Sequence, residues 1–112
     1  NAAPNAIASY EAKVGLPTAP AVKLIEAIKY NDQNGDAKVF NFAKQYLVST
    51  LITAGLIAEI AAEFKAFAAQ YLVAAGNAAV AKVSTDLVFT ITARQPFKPT
   101  FIVVDGVDVA FT

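Results

Sequence analysis

Two glutamates one helical turn apart, Glu59 and Glu63, are the residues of this sequence best placed to do chemistry. Carboxylates at that spacing can share acid–base work or hold a divalent metal ion. Either role needs further groups. The sequence has no histidine and no cysteine, which removes the commonest general base, the commonest metal ligand and the thiolate nucleophile. No second acidic helix is available to complete a carboxylate metal site. The expected role of the pair is therefore a solvated polar stripe.

Asp32, Asn34 and Asp36 alternate as the first three ligands of a calcium loop do. That loop also needs glycine at its sixth position and a bidentate glutamate at its twelfth. Ala37 and Ala43 stand there instead, so the expectation is an Asx-rich turn. Ser9, Ser49 and Ser84 lack the histidine that would activate a hydroxyl. The five glycines are scattered and build no phosphate loop. No catalytic, cofactor-binding or metal-binding residue is assigned, and the chain is read as a non-enzyme.

The elements carrying these residues are read as mainly helical. Asn5 caps a short helix with Ile7, Tyr10 and Val14 on one side, ended by Gly15. Leu16–Pro20 is a rigid connector. Thr18 caps a second helix running to about Tyr30, with Leu24, Ile25 and Ile28 as its apolar stripe. After the turn Asn31–Asp36, one long apolar helix covers about residues 37–75, with Asp36 as N-cap and Gly76 as its stop. Its polar residues Lys38, Asn41, Gln45, Ser49, Thr53, Glu59, Glu63 and Gln70 share one sector, with Lys44, Thr50 and Lys65 outside it. The phase persists across Gly55, so the helix is expected to continue there, gently kinked; a break at Gly55 would make a hairpin instead. A continuous helix would be roughly 60 Å long.

The period then changes to two. Leu87, Phe89 and Ile91 alternate with Val88, Thr90 and Thr92 in a strand from about Lys82 to Arg94. A loop follows at Gln95–Pro99. Thr100–Val104, Asp105-Gly106 and Val107–Phe111 read as a β-hairpin with a type I′ turn. Its register sets Ile102 opposite Val109 and Val104 opposite Val107, and puts Phe101 and Val103 on the other face beside Asp108 and Ala110. The expected class is α+β: N-terminal helices including the long one, then a C-terminal three-stranded antiparallel meander. All of it forms one domain, 1–112, with a helical part at 1–76 and a β part at 80–112.

Composition frames the function. The chain has 112 residues, 56% hydrophobic and 16% charged, against averages of about 45–50% and about 25%. Nine basic and nine acidic residues cancel, and no cationic cluster would displace counterions from a phosphate backbone. Nucleic acid is not favoured as a partner. Integral membrane insertion is not favoured either, because the charge-free stretches Gln45–Ala58 and Ala66–Ala81 span 14 and 16 residues, short of the roughly 20 a bilayer needs. The chain begins at Asn1 and not at Met, which reads as N-terminal processing.

A rod longer than its own domain and apolar on most of its girth would have to be covered by copies of itself. The first functional expectation is accordingly a structural subunit that self-assembles into a filament, coat or similar oligomer, extracellular, on a cell surface or in a virion. Its interface would be Leu47, Leu51, Ala54, Ala58, Ala62, Phe64, Phe67 and Tyr71. The alternative is a carrier that folds helices onto the sheet and encloses a lipid or other apolar ligand among Phe40, Leu47, Phe64, Phe67 and Tyr71.

Overall fold

In place of a long helix, strands fill most of the first half of the chain. The computed structural model describes residues 7–71, 77–94 and 97–112. Among these, β1 (Ile7–Gly15), β2 (Lys23–Asn31) and β3 (Ala37–Val48) precede one helix, α1 (Ala54–Ala68). Then come β4 (Ala78–Val83), β5 (Asp86–Arg94), β6 (Lys98–Val104) and β7 (Val107–Ala110). Two antiparallel sheets result, ordered β1-β5-β4 and β3-β2-β6-β7. The expected class of helices followed by a three-stranded meander is thus wrong: the molecule is mostly β.

The short N-terminal helix is strand β1. Ala12, Val14 and Leu16 are buried and alternate with exposed Glu11, Lys13 and Gly15, the period of a strand with one solvated face. The cap assigned to Asn5 lies outside the described residues. The second helix is strand β2, whose Leu24 pairs with Leu47 and Ile25 with Tyr46. The long helix is divided into two elements. Its first third is β3, rich in the β-branched and aromatic residues Val39, Phe40, Phe42, Tyr46 and Val48.

A bulge explains why β3 looks helical in the sequence. Ala27 pairs with Asn41 and Ile25 with Tyr46, so Phe42, Ala43, Lys44 and Gln45 all stand opposite Glu26. The insertion lengthens the gap between buried Phe42 and buried Tyr46 to four residues, which imitates one helical turn.

What remains of the long helix is α1, 15 residues and about 22 Å long. Thr53 caps it, its Oγ1 accepting the Leu56 N–H at 3.1 Å. Gly55 is the second helical residue, neither kink nor hairpin. The expected stop at Gly76 lies outside the described residues. No helix among those described is long and apolar enough to cross a membrane, which says nothing of strands.

The C-terminal hairpin has the expected register, Ile102 opposite Val109 and Val104 opposite Val107. Asp105 and Gly106 both have positive φ, 56° and 76°, as a type I′ turn requires. The meander does not form. β5 pairs with β1 and β4, while β6 pairs with β2 and β7, so β5, ending at Arg94, and β6, beginning at Lys98, belong to different sheets. Gln95 and Pro96 of the expected loop lie outside the described residues.

Glu11 and Thr112 exchange both backbone hydrogen bonds, at 2.9 and 2.8 Å. They join the end of β7 to the edge of β1 and so link the sheets. On the other side α1 packs against β4 and β3, the outermost strands of the two sheets. One core lies between sheets and helix, built on Ile25, Ile28, Phe64, Phe67, Phe89 and Phe97. Phe64 meets Phe89 edge-on with ring centroids 5.4 Å apart, and Phe67 is ringed by Tyr30, Phe40, Tyr71 and Phe97.

Candidate functional site

Glu59 is exposed and Glu63 half-buried, and each carboxylate is engaged by β3. Glu63 accepts the Ala43 N–H on both carboxylate oxygens, at 2.9 and 3.0 Å, and the Tyr46 hydroxyl at 2.7 Å. Glu59 accepts from the Lys44 ammonium at 3.1 Å. All three partners lie on or beside the β3 bulge, so the pair clamps α1 to it. Burial pushes the Tyr46 phenol up to about 12, with the Glu63 hydrogen bond next in weight. Both carboxylates accept from β3, and the Ala43 N–H that Glu63 satisfies would otherwise be an open donor on an edge strand.

Asp32 makes an Asx turn. Its Oδ1 accepts the N–H groups of Asn34 and Asp36, at 2.9 and 3.0 Å, and Gly35 takes φ +82°, where glycine is unstrained. Asp36 precedes strand β3 and caps no helix. No cluster of three or more acidic groups with metal-ligand spacing occurs among the described residues. Ser9 bonds the Thr92 hydroxyl across β1 and β5 at 2.9 Å, and Ser49 accepts the Leu51 N–H at 3.1 Å.

The eight residues expected to form an assembly surface are dispersed. Phe64 and Phe67 are wholly buried in the core of the single chain, and half-buried Tyr71 stacks on Phe97 at 4.0 Å. Burial pushes the Tyr71 phenol to about 12, with Tyr30 the second cause. Ala54, Ala58 and Ala62 lie exposed along α1, while Leu47 and Leu51 are exposed at 56% and 75% on and just after β3. Of the residues assigned to a ligand cavity, Phe40, Phe64, Phe67 and Tyr71 do converge. Their rings pack on one another and on Phe97, at centroid distances of 4.0–6.2 Å, and Leu47 points elsewhere.

A surface that the sequence reading did not assign lies on the four-stranded sheet. Directly paired residues share a face. Outside β3-β2-β6-β7, one row runs Val39, Lys29, Phe101, Ala110, and the next Asn41, Ala27, Val103, Asp108. Val39 is 53% and Phe101 37% exposed. The Lys29 ammonium donates to Asp108 at 3.0 Å across this face. A cleft of about 370 Å³ opens beside the bulge, floored by Ala27 and Val103 and walled by Glu26, Asn41, Phe42 and Gln45. The three-stranded sheet is the opposite case. Its outer rows run Ser9–Thr92, Glu11–Thr90–Ala79 and Lys13–Val88–Ala81, with Ile7–Arg94 and Gly15–Asp86–Val83 at the ends, so polar residues dominate β1 and β5 while β4 contributes small and apolar ones. The signal for the apolar face was in the hairpin, whose register already put Phe101 and Val103 on one side.

Comparison of the chain with protein-family models, with curated proteins and with solved structures gives no match.

Proposed function

We propose that this protein is a non-catalytic structural subunit that assembles with copies of itself into an ordered oligomer such as a filament or coat. The contact runs through its β-sheet surface and not through a helical rod. What supports this reading is the contrast between the two outer sheet faces. A sheet with one face in the core ordinarily alternates apolar inward with polar outward. The three-stranded sheet follows that rule more closely, with Ser9, Glu11, Lys13, Thr90 and Thr92 outward on β1 and β5, and Val88, Ala79, Ala81, Val83 and Ile7 as its exceptions. The four-stranded sheet departs from it with Val39, Phe101, Val103, Ala27 and Ala110. Of the large apolar side chains left exposed among the described residues, Val39, Leu47 and Phe101 lie on this outer face, Val22 and Leu51 flank its strands, Val107 lies on the core-facing side of β7, and Ile7 and Val83 belong to the other sheet. Exposed apolar surface gathered in one region is the mark of an interaction site.

A concentration series of thermal unfolding tests the proposal. Assembly stabilises the folded state by mass action, so Tm should rise by about 2–6 °C for each tenfold increase in protein. A Tm independent of concentration over three decades contradicts it.

A further inference from the structure

We infer that the outer face of the four-stranded sheet is covered by the same face of a second copy, sheet against sheet; this rests on the assembly reading and names its contact surface. Three features single out a second copy as the occupant. The first is charge. Lys29 and Asp108 neutralise each other at 3.0 Å within the face, and the whole chain carries nine basic and nine acidic residues. Beyond that pair, each copy brings the Glu26 carboxylate at the cleft wall, which accepts the Gln45 amide at 3.2 Å.

The second is area. Strands spaced about 4.8 Å apart, at about 3.3 Å per residue, give this sheet roughly 500 Å² of face, or about 1,000 Å² for two copies. That is about the minimum for a specific interface. The third is shape. Phe101, 37% exposed, lies in one row, and the 370 Å³ cleft floored by Ala27 and Val103 opens at the next. In an isologous pair each Phe101 enters the cleft of the other copy, since the same patch serves both sides.

The test compares Phe101→Lys and Val39→Lys with Ser9→Lys, which adds the same charge to the outer face of the other sheet. Circular dichroism verifies folding, and light scattering gives the mass. A unique thiol introduced by Val103→Cys or by Ser9→Cys, in a chain with no cysteine of its own, is treated with a flexible bis-maleimide. The expected result is at least a tenfold weaker association for Phe101→Lys and Val39→Lys, wild-type association for Ser9→Lys, and covalent dimers from Val103→Cys in clear excess over Ser9→Cys. Wild-type association of folded Phe101→Lys, or preferential cross-linking at Ser9→Cys, would overturn this surface while leaving self-assembly standing. A wild-type chain that is monomeric at every concentration would overturn both. So would a monomer that floats with phosphatidylcholine vesicles, which would give the face to lipid.

Discussion

At the scale of single residues, Glu63 is a polar tie between α1 and β3. Its carboxylate serves a backbone donor and a phenol together, and hydrogen bonds to a charged acceptor contribute about 1.5–3 kcal/mol each when buried, less when exposed. Glu63→Ala should cost about 2 kcal/mol, read as a lower urea midpoint with an unchanged m-value. Tyr46 supplies a pH dependence. Its phenol, like that of Tyr71, is raised to about 12 from 10, so the folded chain keeps two protons that the unfolded chain gives up sooner. That stabilisation is present in full below about pH 10 and is lost as pH rises through about 12. Alkaline titration should show two tyrosines ionising late, together with loss of structure, and Tyr46→Phe should lessen the loss between pH 10 and 12.

Among the elements, the C-terminal hairpin and α1 depend on local chemistry, and each has a single-residue test. Gly106 sits at φ +76° with open space where a Cβ would point, so Gly106→Ala meets no clash and pays only backbone strain. A loss of about 1 kcal/mol is expected by urea denaturation. Thr53→Ala removes the cap of α1 and should also cost about 1 kcal/mol.

These local features are the ones that could be read from the sequence. Asp105-Gly106 fixes a turn and hence a register, and Asp32 writes its own Asx turn; neither depends on distant residues. The strands of the first half depend on them heavily. The bulge at Phe42–Gln45 is stabilised by Glu59 and Glu63 on α1, and it shifts β3 into an apparent helical period. Strand β2 shares the same irregularity between Ile25 and Ala27. β1 was legible in principle, because Ala12, Val14 and Leu16 alternate with Glu11, Lys13 and Gly15, but its alanines and Asn5 read equally well as a helix. The apolar outer face needed the pairing of β2 with both β3 and β6, a non-local fact.

For the molecule as a whole, the core is complete without any partner. Phe64 and Phe67 are fully buried within one chain, so Phe67→Lys would test folding and not assembly, with a cost on the scale of the 3–5 kcal/mol seen when a buried aromatic is truncated. Surface changes test assembly. A face-to-face pair is closed by its two-fold symmetry and stops at a dimer. A filament or coat therefore requires a second contact, and Leu51, 75% exposed after the end of β3, offers apolar surface beyond that face. Leu51→Lys should leave the dimer intact and remove larger species, visible as a fall in the heaviest sedimenting fraction.

The central claim is that the working state of this chain is an assembly held by its apolar sheet face, and the native mass tests it most directly. Light scattering of the purified chain across a dilution series should give a mass of at least twice 11.8 kDa that persists on dilution into the micromolar range. A mass of 11.8 kDa at every concentration would contradict it.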